Sequence, residues 1–572
     1  MCGIFSVAFY NKVDDESFKD IINLSNNALA HIDHRGPDNK DIIGIENKVI
    51  LGHTRLSING LIPEFNQPYP LISDSKKINK NVSKIIYNGE IFNFKELDNN
   101  SKCDTQVLFD ILEDSNLEKS KIFDALQNLN GMWSFIYYKD NKFVVSRDRF
   151  GEKPLFYFKN EDFIVFSSEI YPIIFFLKKY LNYFDFEDIK EYPCSSYSLL
   201  NINSPISNIE FIKYFGDKVN EVYGKTLSFK KTFSRAVELR LISDVPLAFT
   251  LSGGLDSSAV IAQASKFIEP HKLTAYCASP EFGFSELSWA EKAANEIGCN
   301  LRVVSYDPED YIKAFKYVQK KFPKDIRSPS SVVHFLVFKK IKEDGYKVVL
   351  EGQGADEMFG GYLHSEVRYY LHCLIFLKFK KLKKISKRIF VKTKLSEIWL
   401  LFLSEFLRFK WVSMNFEDVK RNVYNDPLPS LVKYGDLASM LNSIESRNPF
   451  LDHRLYEYAS TQNDSRRFEI HDSKKDIREL LSDYSIYSIA NRPDKKGYEL
   501  PWESLISYVV ERNDFPKFFE SLKMARLYKK PYLGVIYHYV VMNHKKLFGA
   551  KRSFIAYFKY RVMFGWEKGI GI

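Results

Sequence analysis

The chain has 572 residues and a formal net charge of +10, a length beyond one ordinary core that calls for about two to four units. With 45% hydrophobic, 27% charged and 16% aromatic residues the composition is globular, which excludes a disordered or fibrous chain. On a chain of this size the basic excess reads as solvated surface and a phosphate-handling site, and no specific nucleic-acid partner is expected.

The chain opens Met1-Cys2-Gly3-Ile4-Phe5, without a basic segment followed by an apolar one, and no run of 18 apolar residues occurs, so neither export nor a membrane span is expected. The six cysteines, at 2, 103, 194, 277, 299 and 373, form no CxxC pair, which argues for a reducing cytoplasm and against a zinc site or a disulfide framework. Residues 1–200 carry short alternating or aromatic runs broken by Gly, Asn and Asp, such as Lys84 to Tyr87, Trp133 to Tyr137 and Phe163 to Phe166, and predict a strand-rich domain. Within it His34-Arg35-Gly36-Pro37-Asp38, Gly52 to Ile58 and Tyr87-Asn88-Gly89-Glu90-Ile91-Phe92-Asn93 gather polar groups at turns and strand ends.

From 225 the rhythm changes to apolar strand, helix, strand: Val245 to Leu251, Ser257 to Phe267, Leu273 to Cys277, a helical Val332 to Glu343, then Val348 to Leu350. A parallel α/β domain over 225–572 is expected, with the boundary in 200–225. The basic amphipathic stretch Leu377 to Lys394, the aromatic run Ile398 to Phe406 and the tail Lys545 to Trp566 read as helical insertions with a solvated Lys/Arg face, in preference to peripheral membrane contact.

Two constellations carry chemistry. Removal of Met1 would leave Cys2 with a thiol and an α-amine on one residue, a nucleophile together with its base. Amide hydrolysis through a thioester needs donors at the developing oxyanion, which the Asn88 side chain and the Gly89 N–H can supply. Arg55 suits a substrate carboxylate, and Glu90 and Asp104 suit an ammonium. MCGIF, HRGPD, GHTRLSI and YNGEIFN in this order resemble the class II glutamine amidotransferase domain, an N-terminal-nucleophile fold of stacked antiparallel sheets. The resemblance implies that Cys2 attacks glutamine, that Asn88 and Gly89 hold the oxyanion, and that Arg55, Glu90 and Asp104 hold the substrate's backbone groups.

The second constellation is Leu251-Ser252-Gly253-Gly254-Leu255-Asp256-Ser257-Ser258, a glycine- and serine-rich loop between an apolar strand and a helix that suits a phosphate and lacks the Walker lysine. It looks like the PP-loop of ATP pyrophosphatases. Glu351-Gly352-Gln353-Gly354-Ala355-Asp356-Glu357 also follows an apolar strand and should face the same crevice, so that Asp256 and Asp356 can share Mg²⁺. With Ser439 to Asp452 and Arg492 to Tyr498, the pattern is similar to the glutamine-hydrolysing asparagine synthetase family. That resemblance implies ATP bound at Leu251, Ser252, Gly253, Gly254, Asp256, Ser257, Ala278, Glu351 and Gly352, an acceptor acid near Gln353, Glu357 and Arg447, and Lys495 at the adenylation transition state, with Lys496 one residue away.

Two departures bear on the acceptor. Gln353 stands where the family commonly has an acidic residue, and a neutral amide cannot be a general base. The stretch from Tyr362 to Asp436 is long. The expected reaction is amidation of aspartate with glutamine as nitrogen donor; a sugar acid such as a uronic acid in polysaccharide synthesis is the alternative acceptor. A homodimer stays open.

Overall fold

The structure is a computed structural model that describes residues 2–71, 82–216, 221–281, 285–321, 330–375, 414–425, 427–462 and 474–492. Lys495, Lys496, the stretches 377–394 and 398–406 and the tail 545–566 lie outside the described residues.

The strand Cys2–Phe9 is buried along its whole length. It pairs antiparallel with Val49–Arg55 on one side and Phe163–Ser167 on the other, within a six-stranded sheet. A second, five-stranded antiparallel sheet contains Lys84–Ile91, Gly131–Lys139, Lys142–Arg147, Ser196–Asn201 and Ile212–Lys213. Ile4, Leu51 and Phe166 of the first sheet pack against Ile86, Ile136 and Val145 of the second. The outer faces are covered as well: Asp15–Leu29 and Ile170–Tyr180 lie on Phe5, Val7 and Val165, and Asp104–Asp114 and Lys119–Asn128 lie on Ile85, Trp133 and Phe135. Both sheets are thus buried on two faces, which is why their strands read as near-continuous apolar runs.

The third sheet is parallel, in the order Asn300–Tyr306, Thr274–Pro280, Leu247–Thr250, Val348–Leu350, Glu445–Arg447. Alternate residues face opposite helical layers: Phe249, Ala275 and Leu350 enter one core, and Ala248, Tyr276 and Val349 the other. From the central strand Leu247–Thr250 the chain first adds strands on one side and then returns to add them on the other. The switch therefore falls between Leu247–Thr250 and Val348–Leu350, and a crevice opens beyond their carboxyl ends.

His53, fully buried in the strand Val49–Arg55, joins the two antiparallel sheets by donating from Nε2 to the Tyr87 carbonyl at 3.1 Å. Burial pushes its pKa down from 6.5 to about 3. The unfolded chain takes up a proton near 6.5 that the folded chain refuses until about 3, so this residue's contribution to stability is lost as pH falls through that window. Urea unfolding at pH 7 and pH 5 should show about 2 kcal/mol of acid destabilisation that a His53→Gln protein lacks. An equal pH dependence in both proteins would contradict this assignment.

Candidate active site

Cys2 begins its strand opposite Arg55 and is 7% exposed. Its backbone nitrogen donates to Asn88 Oδ1 at 3.0 Å, which leaves Asn88 Nδ2 buried with no hydrogen-bond partner among the described residues. A buried amide with an unused donor beside a thiol is the geometry of an oxyanion stabiliser. Burial pushes the Cys2 thiol up, while the α-amino group, the Leu56 N–H and Arg55 pull it down. Gly89 lies opposite Trp133 in the second sheet, where a Cβ would stand 2.1 Å from the Met132 carbonyl oxygen. No other residue fits there without moving the strand.

Glu90 and Asp104 meet in the same buried place. Asp104 Oδ2 accepts from the Tyr87 hydroxyl at 2.9 Å and the Ile91 N–H at 3.0 Å, and Glu90 Oε1 accepts from Asn59 Nδ2. Burial, and then the Asp104 charge, hold the Glu90 carboxyl well above its usual range against the pull of Arg447; burial likewise raises Asp104. Arg55 is placed differently from a free carboxylate clamp. Its Nη1 donates to the Ile62 carbonyl and Asn66 Oδ1, and its Nη2 to the Asn59 and Gly60 carbonyls, so both terminal nitrogens hold the loop that carries Asn59.

On the parallel sheet, Ser252, Gly253, Gly254, Asp256 and Ser257 wrap the start of the helix Leu255–Ala264. Ser257 Oγ accepts from the Ser252 N–H at 3.2 Å, and Gly253 takes a φ of 68° where a Cβ would meet the Ala290 nitrogen at 2.4 Å. Arg492 Nη1 donates to the Gly253 carbonyl at 3.0 Å and fixes the loop from outside. The loop after Val348–Leu350 touches it: a Cβ on Gly352 would lie 2.6 Å from the Ser257 nitrogen. Leu251, just after the strand Leu247–Thr250, and Ala278, in the strand Thr274–Pro280, are buried, and Glu357 is buried beneath the Tyr362 hydroxyl, which donates to it.

Asp256 and Asp356 come together as the sequence suggests, and between them stands a residue the sequence reading missed. Lys474 Nζ lies 2.6 Å from Asp256 Oδ1 and 2.5 Å from Asp356 Oδ1. Its backbone is left-handed, with φ 60°, a conformation that costs an L-residue about 1 kcal/mol and that these ion pairs offset. Nothing in the sequence separates Lys474 from the adjacent Lys475.

Arg447 is not brought to this crevice. It is fully buried, with Nε on Glu445 at 2.6 Å, Nη1 on the Arg240 and Ile242 carbonyls, and Nη2 3.7 Å from Glu90. It therefore faces the Cys2 pocket, in place of the acceptor role expected of it. Glu445 faces the same way; against burial, the α-amino group, Arg447 and Lys153 hold its carboxyl down at about 2. Ser446, between them, points oppositely and donates to Glu351 Oε2 at 2.6 Å. Gln353 Oε1 lies against Gly435, 3.2 Å from where a Cβ would be.

The two antiparallel sheets and the parallel sheet fall in regions that match different family models: residues 1–215 match a glutamine amidotransferase domain, and residues 228–509 match asparagine synthase. A putative glutamine-hydrolysing asparagine synthetase 2 of Methanocaldococcus jannaschii is 30% identical over 441 residues, covering 70% of this chain and 83% of that protein. Glutamine-hydrolysing asparagine synthetase 1 of Bacillus subtilis is 29% identical over 63% of this chain and 59% of its own length, and asparagine synthetase 3 of Arabidopsis thaliana 30% identical over 64% and 61%. The chain thus spans about three fifths of the length of the latter two. A solved glutamine phosphoribosylpyrophosphate amidotransferase from B. subtilis is similar at a TM-score of 0.29 and 15% identity, over 53% of this chain and 66% of that one; the architecture rests on the strand pairings above and not on that likeness.

Gly89→Ala should drive a methyl group into the Met132 carbonyl and displace Asn88 from Cys2. Overpacking of this kind costs about 1–3 kcal/mol, read as a lower urea midpoint, and should be accompanied by loss of thiol-dependent amide hydrolysis. Unchanged hydrolysis would remove Gly89 from the site.

Proposed function

Because this chain belongs to the family of glutamine-hydrolysing asparagine synthetases, with a 30% identical relative matched over 83% of its length, we propose that it hydrolyses glutamine at Cys2 and uses the released nitrogen to amidate aspartate at the expense of ATP. The products are asparagine, glutamate, AMP and pyrophosphate. The observation that carries this reading is that one strand, Glu445–Arg447, touches Glu90 of the Cys2 pocket through Arg447 and Glu351 at the start of the nucleotide loop through Ser446, so that two half-reactions share a wall.

After removal of Met1 the nitrogen that now bonds Asn88 becomes an α-amine and serves as base for the Cys2 thiol. Asn88 Nδ2 and the Gly89 N–H receive the oxyanion of the tetrahedral intermediate. The buried carboxyls of Glu90 and Asp104 take the substrate's α-ammonium, whose charge offsets the burial that raises both of them. Arg55 orders the loop from Asn59 to Asn66 that carries the Glu90 partner Asn59. The glutaminase unit comprises residues 1–200 with the paired strand Ile212–Lys213, and the synthetase unit runs from 225.

Asp256 and Asp356, in the first turns of the helices that follow neighbouring strands, would hold a Mg²⁺ ion with help from the nucleotide, since among the described residues no cluster of three or more His, Cys, Asp or Glu could hold a metal. Held there, the ion would supply positive charge to the departing pyrophosphate. Ser252, Gly253, Gly254 and Ser257 cradle the phosphates, Leu251, Ala278, Glu351 and Gly352 bound the nucleotide, and Gln353 and Glu357 bound the acceptor. Lys474 meets the charge that develops at the α-phosphate, the role that the sequence alone suggests for Lys495. The relatives' names favour aspartate over a sugar acid as acceptor. All six cysteines are free thiols, and among the described residues no helix is long and apolar enough to cross a membrane, which supports a cytoplasmic location.

A Cys2→Ala protein should lose glutamine-dependent asparagine formation and keep the ammonia-dependent reaction, with AMP and pyrophosphate as products; ADP and phosphate in their place would sink the adenylation step. Lys474→Met removes the cation between two partly solvated carboxylates and should cost roughly 2 kcal/mol. Millimolar Mg²⁺ should raise the melting temperature of that variant more than that of the unaltered protein; an equal response in both would remove the two aspartates as a metal site.

A further inference from the structure

The layer between the two halves holds a carboxyl group that neither half-reaction uses. Glu152, in the turn that follows the strand Lys142–Arg147, is 4% exposed, and its Oε2 accepts from Asn448 Nδ2 at 3.1 Å. Toward Cys2 the connection is short. Lys153, the next residue, places Nζ 3.7 Å from Asp436 Oδ1; Asp436 receives both terminal nitrogens of Arg35, whose Nε donates to the Cys2 carbonyl at 3.1 Å. Toward the nucleotide it is equally short: Asn448 follows Arg447, whose carbonyl accepts from the Glu351 N–H at 3.0 Å, and Glu351 opens the loop that carries Gln353.

The charges around Glu152 have other duties. Asp148 accepts from the N–H groups of Trp133, Phe150, Glu152 and Lys153, and Arg240 is paired with Asp452 at 3.2 Å. Among the described residues Glu152 makes no ion pair. Burial, and then Asp148, push its carboxyl up to about 7 against Arg240, Lys153 and the Asn448 bond. Beside it, Asn448 Oδ1 is buried, in a residue 6% exposed, with no hydrogen-bond partner among the described residues. An acceptor without a donor next to a carboxyl without an ion pair suits one small N–H donor.

We propose that Glu152 and Asn448 form a relay point for the nitrogen leaving the Cys2 pocket, where the Glu152 carboxylate takes a proton from ammonium. One N–H bond breaks and one O–H bond forms, which leaves ammonia with its lone pair free while Asn448 Oδ1 accepts a remaining N–H. Ammonia then attacks the acyl adenylate, the acyl–oxygen bond to AMP breaks, the second proton shed on amide formation leaves on the AMP phosphate, and Glu152 returns its own proton to water as products depart. Gln353, a neutral amide facing the same layer, cannot take that proton. The inference rests on the proposed function and adds to it a step between the sites.

The test uses the full chain with glutamine, aspartate, ATP and Mg²⁺. Glu152→Gln keeps the size and the acceptor for Asn448 Nδ2. It should release glutamate within about twofold of the unaltered protein yet form at least about tenfold less asparagine per glutamate at neutral pH. The deficit should shrink as pH rises and ammonium deprotonates unaided, and Glu152→Asp should restore part of the yield. Asn448→Leu, which removes the unpartnered acceptor, should uncouple in the same way and serves if Glu152→Gln does not fold. Full asparagine yield per glutamate in Glu152→Gln at neutral pH, or an equal loss in the Gln and Asp variants at every pH, overturns the relay. If the unaltered protein makes no asparagine from glutamine, the proposed function fails instead.

Discussion

The short strand Glu445–Arg447 is the constraint on which the rest depends. It is an edge strand of the parallel sheet, and the alternation of side chains along a strand makes its three residues serve two pockets. Glu445 and Arg447 face the carboxyl cluster of the Cys2 pocket, while Ser446 reaches Glu351 at the entrance to the nucleotide loop. A one-residue slip would exchange the two sets and leave a guanidinium beside Glu351 and a hydroxyl beside Glu90. The register is held by pairs from Val348 with Glu445 to Leu350 with Arg447, and by the Arg447 Nη1 bonds to the Arg240 and Ile242 carbonyls.

Around this strand the two halves meet through buried charge as well as through apolar contacts such as Phe92 and Met132 with Leu239 and Met440. Arg35, 1% exposed, bonds Glu169, both oxygens of Asp436 and the Cys2 carbonyl. Arg240, Asp452 and Asn130 form a second buried group, and Arg447, Glu445 and Glu90 a third. Buried pairs of this kind are weak contributors to stability, because desolvation consumes much of the Coulomb energy, but deleting one partner strands the other at a cost of about 3–5 kcal/mol. Their directional bonds fix one docking of the halves, which an apolar layer of the same area would tolerate in several.

The nucleotide crevice follows from topology. The switch in strand order between Leu247–Thr250 and Val348–Leu350 brings together Asp256 and Asp356, one hundred residues apart in sequence, in the first turns of the helices that follow these two strands. Glycines at 253 and 352 let the two loops approach to backbone contact, and Lys474 holds the carboxylates against their mutual repulsion. Arg492, stacked over Trp289 at 4.8 Å and bonded to Gly253, supports the loop from behind.

The sequence by itself determined what is local. Apolar runs buried on both faces announce the sheets, a glycine-serine turn between strand and helix announces a phosphate loop, and Cys2 with the Tyr87-Asn88-Gly89-Glu90 segment announces the thiol chemistry, because each depends on residues close in the chain or on recognisable motifs. Tertiary structure decided what arises between distant segments. Arg447 belongs with Glu90, 357 residues earlier, and not with the acceptor crevice, since strand alternation turns it toward the other half. Arg55 spends its terminal nitrogens on its own loop, and Lys474, indistinguishable in sequence from Lys475, is singled out only because its left-handed backbone aims its ammonium between two aspartates. Glu152 reads as an ordinary turn glutamate; burial beside Asp148, against a strand from the other half, is what gives it a carboxyl that can hold or release a proton near neutrality.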